Sequence, residues 1–155
     1  MTQSRVSHDT FVIERTYDIP VAQVFRAWAD PVLKARWFAG SADAVEAGYE
    51  LDFRVGGREF NRGGPPGGPV YTYAAQFHDI VPEQRIVYTY EMNADDDRLS
   101  VSVATVEFRL DGATTHLVLT EQGVFLDGHD TSAQREEGTR SLLESLAASL
   151  HGDHT

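Results

Sequence analysis

The sequence predicts an α+β fold in which a curved antiparallel sheet of about six or seven strands wraps around a long C-terminal helix. Most of the chain alternates between apolar and polar residues, a pattern that is typical of half-buried strands. Two short segments after the first strand and one long segment near the end instead repeat at helical spacing. A sheet with one apolar face must cover that face, and only the last helix is long enough to do so.

The first strand and two short helices are predicted at the start of the chain. Residues 10–19 alternate as a half-buried strand does, and Pro20 ends this alternation and suits the first turn of a helix. Asp30-Pro31 repeats the start signal, because an aspartate can cap exposed amides and a proline suits the first helical position. We therefore expect a second short helix over residues 32–38, ended by Gly40.

The middle of the chain predicts a meander of consecutive strands. Gly56-Gly57 permits a turn or bulge, and residues 63–69, rich in glycine and proline, predict an exposed connector. The Asp95-Asp96-Asp97 run is interpreted as a solvated hairpin tip, since it lacks the spaced ligands of a calcium loop. Asp111-Gly112 is a strong turn signal. The strand patterns cover residues 49–55, 58–62, 71–77, 86–92, 104–110 and 116–120.

The last helix follows Gly128, where the apolar period changes from two to about 3.6 residues. Asp130 or Thr131 can cap its start. We expect the helix to run to about Leu150, with residues 151–155 as a frayed tail.

Composition excludes several classes of protein. Thirteen basic against 24 acidic residues give a formal charge of −11, which repels phosphate backbones, so nucleic acid is not expected as a partner. No stretch approaches the roughly 20 apolar residues of a spanning helix, and the N-terminus lacks a signal-peptide core. We expect no membrane insertion, a cytoplasmic location and a single domain over residues 1–155, with an ordered core over about residues 8–150.

Metal and covalent chemistry find no support in the sequence. The chain has no cysteine, which excludes disulfides and thiolate sites, and its six histidines form no metal-ligand spacing on a shared face. The serines have no histidine and acid in a readable nucleophile context, and the glycine pairs lack the setting of a phosphate cradle. We expect neither metal nor cofactor and assign no catalytic residue.

Aromatic side chains predict a small-molecule site on the apolar side of the sheet. Such residues usually form core, but a strongly curved sheet and one helix cannot fill the space between them completely. A concave apolar cavity with a few polar groups is the usual form of a ligand site. The predicted ligand-binding residues of this kind are Trp28, Trp37, Phe38, Phe53, Tyr73, Phe77, Tyr88, Tyr90, Phe108 and, on the last helix, Leu142.

Arg15 and Glu121 are the sharper signal, because strict alternation points both to the apolar side of their strands. A buried charge needs a partner. Our hypothesis is that the two pair directly or through water near one end of the cavity and anchor a polar group of the ligand. Two alternatives stay open: a bulge turns one of them to solvent, or they form a purely structural pair.

A series of segments in a characteristic order covers nearly the whole chain: Glu14-Arg15-Thr16, residues 20–28, Asp30-Pro31, Arg36-Trp37-Phe38, Gly56-Gly57, residues 85–90, 105–108 and 117–121, and Glu137-Gly138. In this order the chain resembles the START-like, helix-grip superfamily (SRPBCC), and within it the group named after the activator of heat-shock protein 90 ATPase. The resemblance implies a deep cavity between sheet and helix. Relatives use that cavity for lipids, polyketides, hormones or other apolar ligands, and a minority use it for catalysis.

The chain departs from the group at Thr139, where members often carry tryptophan after the glutamate and glycine. The missing indole is expected to leave room or to change the pocket wall, so Thr139 joins the predicted ligand-binding residues. The name of the group also suggests a co-chaperone. We disfavour that interpretation, because the co-chaperone proper has an additional N-terminal domain for which this chain has no room, and fold is not function.

The favoured function is therefore a non-enzymatic binder of a small hydrophobic molecule: a carrier, sensor or sequestering protein. One alternative is a cyclase or dehydratase-type enzyme acting on a polyketide-like substrate, in which Glu121, a tyrosine or Arg15 handles a proton. A carboxyl of raised pKa beside a tyrosine in a closed cavity would favour it. Another is a chaperone-associated interaction module, marked by an exposed apolar patch or a filled core. The oligomeric state stays open, with a homodimer among the alternatives.

Overall fold

The computed structural model describes residues 4–39 and 48–152. Within them, seven strands form one antiparallel sheet with the spatial order β1-β7-β6-β5-β4-β3-β2. The strands are β1 Val6–Tyr17, β2 Glu50–Leu51, β3 Arg58–Gly63, β4 Tyr71–Val81, β5 Arg85–Ala94, β6 Asp97–Asp111 and β7 Thr114–Leu126. The helices are α1 Val21–Ala29, α2 Pro31–Phe38 and α3 Ser132–Gly152. The predicted α+β helix-grip class is confirmed, including the two short helices after the first strand.

The first strand joins the sheet beside the last one. β1 pairs with β7 in an unbroken register that runs from Val6 opposite Leu126 to Tyr17 opposite Thr115. The remaining strands form the predicted meander, each paired with the next along the chain. Consequently β1, although first in sequence, is an edge strand adjacent to the strand that leads into α3.

The β4–β5 and β5–β6 pairings each contain an irregular position. The register shifts between Phe77 and Asp79 and again between Met92 and Asn93, and such bulges increase local twist and curvature. At Gly57, a Cβ would overlap the main-chain oxygen of Asp52, so only glycine fits this turn before β3. The turn is tied to β4 by main-chain hydrogen bonds with Phe77.

The short helices follow their sequence signals. α1 begins directly after Pro20, and α2 is capped by the Asp30 carboxylate, which accepts hydrogen bonds from the amides of Val32 and Leu33 at 2.9 and 3.1 Å. Gly40, predicted to end the second helix, lies outside the described residues.

α3 begins as predicted and runs further than expected. The Thr131 hydroxyl accepts a hydrogen bond from the amide of Gln134 at 3.1 Å, which is the capping role predicted for Asp130 or Thr131. The helix continues past Leu150 to Gly152. Residues 153–155 of the predicted tail lie outside the described residues.

Several predicted strand limits are wrong. The first strand begins at Val6, before the predicted start at residue 10, and β6 begins at Asp97, well before residue 104. The strand predicted over residues 49–55 is reduced to Glu50–Leu51, because the chain turns back over the following residues into β3.

In the part of the chain that the structure describes, no helix combines the length and apolar character needed to cross a membrane.

Candidate functional site

A cavity of about 290 Å³ lies between the concave face of the sheet and α3, with residues of α1 and α2 forming one wall. Strict alternation along β5 places Tyr88, Tyr90 and Met92 on the same concave face. The lining residues are Trp28, Trp37, Phe38, Asn61, Tyr73, Tyr88, Tyr90, Met92, Leu119, Glu121, Arg135, Gly138, Thr139, Leu142 and Leu143. Most of this surface is aromatic or aliphatic, as is usual for a small-molecule site.

The aromatic part of the wall is a continuous series of ring contacts. The Trp28 and Trp37 rings meet edge to face with centroids 4.8 Å apart, and Phe38 meets Tyr73 in the same way at 4.9 Å. Tyr73 in turn lies 4.9 Å from Tyr90. Because such pairs are favourable in themselves and fix each other's rotamers, the wall is preorganised.

A polar cluster occupies one end of the cavity. The Tyr90 hydroxyl donates a hydrogen bond to Glu121 Oε2 at 2.7 Å and accepts one from Arg135 Nη1 at 2.9 Å. Arg135 Nη2 donates to Ser100 Oγ at 2.7 Å and to Asp130 Oδ2 at 2.9 Å. Arg135 Nη1 also lies 3.7 Å from Glu121 Oε2. We call these five residues the polar end.

Burial is the main cause of the raised pKa values of two residues in the polar end, Glu121 and Tyr90. It raises the pKa of Glu121 above its ordinary value, while the hydrogen bond from Tyr90 and the charge of Arg135 oppose this rise. The pKa of Tyr90 is also raised, chiefly by burial and then by the neighbouring Glu121 carboxyl. The cavity therefore holds a carboxyl group whose proton is retained above the usual pH range, beside a tyrosine that stays protonated.

A second buried charge pair lies behind the aromatic wall. Lys34 Nζ contacts both oxygens of Glu59 at 3.1 and 2.9 Å, and the Tyr49 hydroxyl donates to the same carboxylate. The ammonium also lies 4.4 Å from the ring centroid of Phe38 and 5.1 Å from that of Trp28. This pair ties α2 to β3 beneath the residues that line the cavity.

The model of the family described as Activator of Hsp90 ATPase homolog 1-like protein matches residues 18–151. The chain belongs to this family. The match confirms the resemblance that the order of sequence segments indicated.

Solved structures agree with the Activator of Hsp90 ATPase homolog 1-like assignment. An uncharacterized protein from Rhizobium leguminosarum is 42% identical, covers 98% of this chain and 100% of its own, and superposes with a TM-score of 0.91. The Mll3558 protein from Rhizobium loti is 49% identical, with coverage of 94% and 99% and a TM-score of 0.88. DynU16, from the dynemicin biosynthetic locus, shares the fold at 17% identity, with coverage of 93% and 48% and a TM-score of 0.66. No curated protein matches the chain.

Nine of the residues that the sequence assigned to a ligand site line the cavity of this family member. They are Trp28, Trp37, Phe38, Tyr73, Tyr88, Tyr90, Glu121, Thr139 and Leu142. Their contact with a ligand stays a prediction.

Four of the predicted residues lie outside the cavity lining: Arg15 and the three phenylalanines Phe53, Phe77 and Phe108. Phe53 and Phe108 pack against Phe25 of α1 at 5.7 and 5.3 Å between ring centroids, and Phe77 lies 5.1 Å from Phe53. They face the concave side as expected, but α1 covers that part of the sheet and its Phe25 fills the space. Alternation along a strand indicates the face of a side chain and not what covers it.

The predicted Arg15–Glu121 pair is wrong. In the β1–β7 register, Glu121 lies opposite Phe11, whereas Arg15 lies opposite Leu117, further along the strands. Arg15 instead pairs with Glu144 of α3 at 3.3 Å and is partly exposed. The cation that reaches Glu121 comes from the helix, as Arg135.

Sequence reasoning missed the remaining lining residues for identifiable reasons. Met92 and Leu119 share the alternation of Tyr90 and Glu121, so that signal could have found them. Asn61 could not be found in this way, because the apolar Phe60 suggests the opposite face of β3. The other missed residues are Arg135, Gly138 and Leu143, all on α3.

In the described residues, no group of three or more acidic or histidine side chains could hold a metal ion.

Proposed function

We propose that this protein binds one small, largely apolar molecule in the cavity between the sheet and α3, as a carrier, sensor or sequestering protein. The observation that carries the proposal is the unfilled volume of about 290 Å³ lined mainly by aromatic side chains. Protein interiors are normally packed to crystal-like density, so unfilled apolar volume of this size is unusual without a guest.

The size and shape of the cavity limit its ligand. Ligand pockets typically measure about 300–1,000 Å³, and a cavity of about 290 Å³ lies at the lower end of this range. Asn61, Met92, Thr139 and Leu142 are partly exposed lining residues, so the cavity reaches the surface between β3, β5 and α3. The proposal keeps the cytoplasmic location expected from the sequence.

The direct test is native mass spectrometry of the protein purified from its own host. We expect a mass above that of the polypeptide, which disappears when the protein is denatured and releases an identifiable small molecule. A protein that carries no such mass, and that takes up none from an extract of its host, would contradict the proposal.

A cavity-filling variant makes the test specific. Thr139→Trp places an indole against the cavity wall, and we expect it to lose most of the bound molecule while remaining folded. Ser141→Trp is the matched control, because Ser141 is exposed on α3 and lies outside the lining. Equal ligand content in the two variants would place the bound molecule elsewhere.

The second candidate function is an enzyme of the cyclase or dehydratase type acting on a polyketide-like substrate. The observation that favours it is Glu121, a buried carboxyl of raised pKa that accepts a hydrogen bond from Tyr90 at 2.7 Å. The closed cavity that was also expected for such an enzyme is not present, because this cavity reaches the surface. A carboxyl whose pKa lies closer to the working pH is better suited to proton transfer. Its carboxylate form could accept a proton from the carbon beside a ketone.

Proton exchange tests the enzyme candidate. In heavy water, the Glu121 carboxylate would take a proton from the central carbon of an aromatic β-diketone and return a deuteron, which NMR detects as loss of the proton signal. If the protein is an enzyme, it should exchange this proton faster than buffer does. We expect Glu121→Gln to lower the part of the rate that the protein adds by about 100-fold or more. Exchange that is no faster than in buffer, or is unchanged in the variant, would contradict an enzymatic role.

The third candidate, a chaperone-associated interaction module, has less support. A filled core was one of its two expected marks, and the core contains a cavity instead. Exposed apolar side chains such as Val101 and Val103 lie on the convex face of the sheet. Scattered surface residues of this kind are normal in monomeric proteins.

A further inference from the structure

Glu121 uses only one of its two carboxyl oxygens within the protein. Oε2 accepts the hydrogen bond from Tyr90 at 2.7 Å and lies 3.7 Å from Arg135 Nη1. Oε1 accepts no hydrogen bond from residues 4–39 and 48–152. The hydroxyl of Ser102 is near enough to influence the pKa of Glu121, but it makes no hydrogen bond of normal geometry in that part of the chain.

The free oxygen, Glu121 Oε1, is accessible from the cavity. Within the described chain, the buried side-chain polar atoms that have neither a partner nor accessible surface are Trp28 Nε1 and Ser102 Oγ. Oε1 is not one of them, so it retains some accessible surface. Because Glu121 is 3% exposed and lines the cavity, that surface lies at the cavity. Buried polar atoms almost always have a partner, so the guest is expected to supply a hydrogen-bond donor.

The charges at the polar end favour a donor that is also a cation. In the described residues, Arg135 is the only cation that lines the cavity, and it is shared between Glu121 at 3.7 Å and Asp130 at 2.9 Å. Two carboxylates against one guanidinium leave one negative charge in excess. The pKa of Glu121 is raised in spite of Arg135, so the guanidinium does not compensate the full cost of burying the carboxylate.

We propose that the cavity selects a largely apolar molecule carrying one protonated amine, which donates a hydrogen bond to Glu121 Oε1 and neutralises the excess charge of the polar end. A charge-assisted hydrogen bond of this kind is stronger than a neutral one. Tyr73 and Tyr88 also line the cavity, and the faces of aromatic rings attract cations. This inference rests on the proposed ligand-binding function.

Three probes of nearly equal size test the selection: naphthylmethylamine, naphthylmethanol and ethylnaphthalene, each substituted at the same ring carbon. Calorimetric titration into the full chain at about pH 8, where the amine is still mostly protonated, measures their affinities. We expect the amine to bind at least about tenfold more tightly than either the alcohol or the hydrocarbon.

Two variants assign this difference to the residues named. Glu121→Gln keeps the shape of the side chain and removes its charge, so the advantage of the amine should disappear while the hydrocarbon still binds. Asp130→Asn leaves Arg135 to compensate Glu121 alone, so the advantage should shrink. Asp96→Asn is the matched control, because Asp96 is exposed in the β5–β6 turn, and it should leave all three affinities unchanged. Circular dichroism and a denaturation curve establish that each variant is folded.

The outcomes separate this inference from the proposed function. If the amine binds no more tightly than the alcohol, or keeps its advantage in Glu121→Gln, the role of Glu121 is overturned while ligand binding stands. If none of the probes binds but the host extract supplies a cavity ligand, a ligand without an amine overturns the inference and one with an amine supports it. If no extract ligand binds either, the proposed function falls together with this inference.

Discussion

Glu121 illustrates how a carboxyl group is held inside an apolar cavity without being isolated. The alternation of β7 turns it to the concave face, where it is 3% exposed, and Tyr90 and Arg135 supply its polar contacts. These contacts compensate only part of the cost of burial, since the pKa of Glu121 remains raised. A buried acid of this kind makes the stability of the fold depend on pH.

The sign of that dependence can be predicted. Because the pKa of Glu121 in the folded protein lies above its ordinary value of 4.5, the folded state keeps a proton that the unfolded chain has lost. The unfolding free energy should therefore fall as the pH rises from the ordinary pKa of Glu121 to its higher pKa in the folded protein. The loss amounts to about 1.4 kcal/mol for each pH unit by which folding raises the pKa, and Glu121→Gln removes it.

Urea denaturation at about pH 4 and about pH 8 measures the effect. The gain in stability of Glu121→Gln over the wild type should be larger at the higher pH. Glu137→Gln, on the exposed side of α3, is the control and should show no such change. A difference that is the same at both pH values would contradict the assignment.

Lys34 and Glu59 give a second prediction at the residue scale. Lys34→Met should lower the unfolding free energy by about 3–5 kcal/mol, because it leaves the buried carboxylate of Glu59 without its cation. The double variant Lys34→Met, Glu59→Met removes both charges and should recover most of the loss. Denaturant midpoints measure both changes. A double variant less stable than Lys34→Met would contradict the prediction, because Glu59 would then stabilise the fold without its cation, through its contact with Tyr49.

At the scale of elements, α3 supplies both packing and unfilled space. Leu143 and Leu146 are fully buried against the sheet. Nearer the start of the helix, a Cβ built on Gly138 would meet no described atom within 4 Å, although Gly138 lines the cavity. A glycine inside a helix is unfavourable, and no packing contact in the described chain requires this one.

Two identical substitutions should therefore have opposite effects. Gly138→Ala should raise the unfolding free energy by about 0.5–1 kcal/mol through the better helix propensity of alanine. Gly57→Ala should lower it, because the new Cβ would overlap the main-chain oxygen of Asp52. Thermal unfolding of the ligand-free variants measures both, and stabilisation by Gly57→Ala would mean that the turn rearranges freely.

At the scale of the whole molecule, periodicity was enough to predict the order and type of the elements. The change from a period of two to a helical period identified α3, and Asp30-Pro31 identified the start of α2. The concave faces of β5 and β7 followed from alternation, which is why Tyr88, Tyr90 and Glu121 were placed correctly.

Periodicity predicted the candidate site where a single strand or helix decides which way a side chain faces. In β3, the inward residues are Glu59 and Asn61, while the apolar Phe60 faces outward, because Lys34 and Tyr49 provide polar partners on the inner side. Such a reversal depends on other elements. The register of β1 against β7, which separates Arg15 from Glu121, depends likewise on pairing across the chain. Arg135 on α3 was missed because a lone charge in an amphipathic helix normally indicates the solvent side.

The pairing of β1 with β7 also governs when this protein can fold during its synthesis. Thr16 and its cross-strand neighbour His116 are 100 residues apart, so β1 leaves the ribosome long before its partner strand β7 exists. Until then the nascent chain presents an edge with unpaired main-chain groups, and loop closure over this distance slows folding. We expect translation to pass the end of β7 before the native sheet forms, a period in which the emerging polypeptide depends on protection from aggregation.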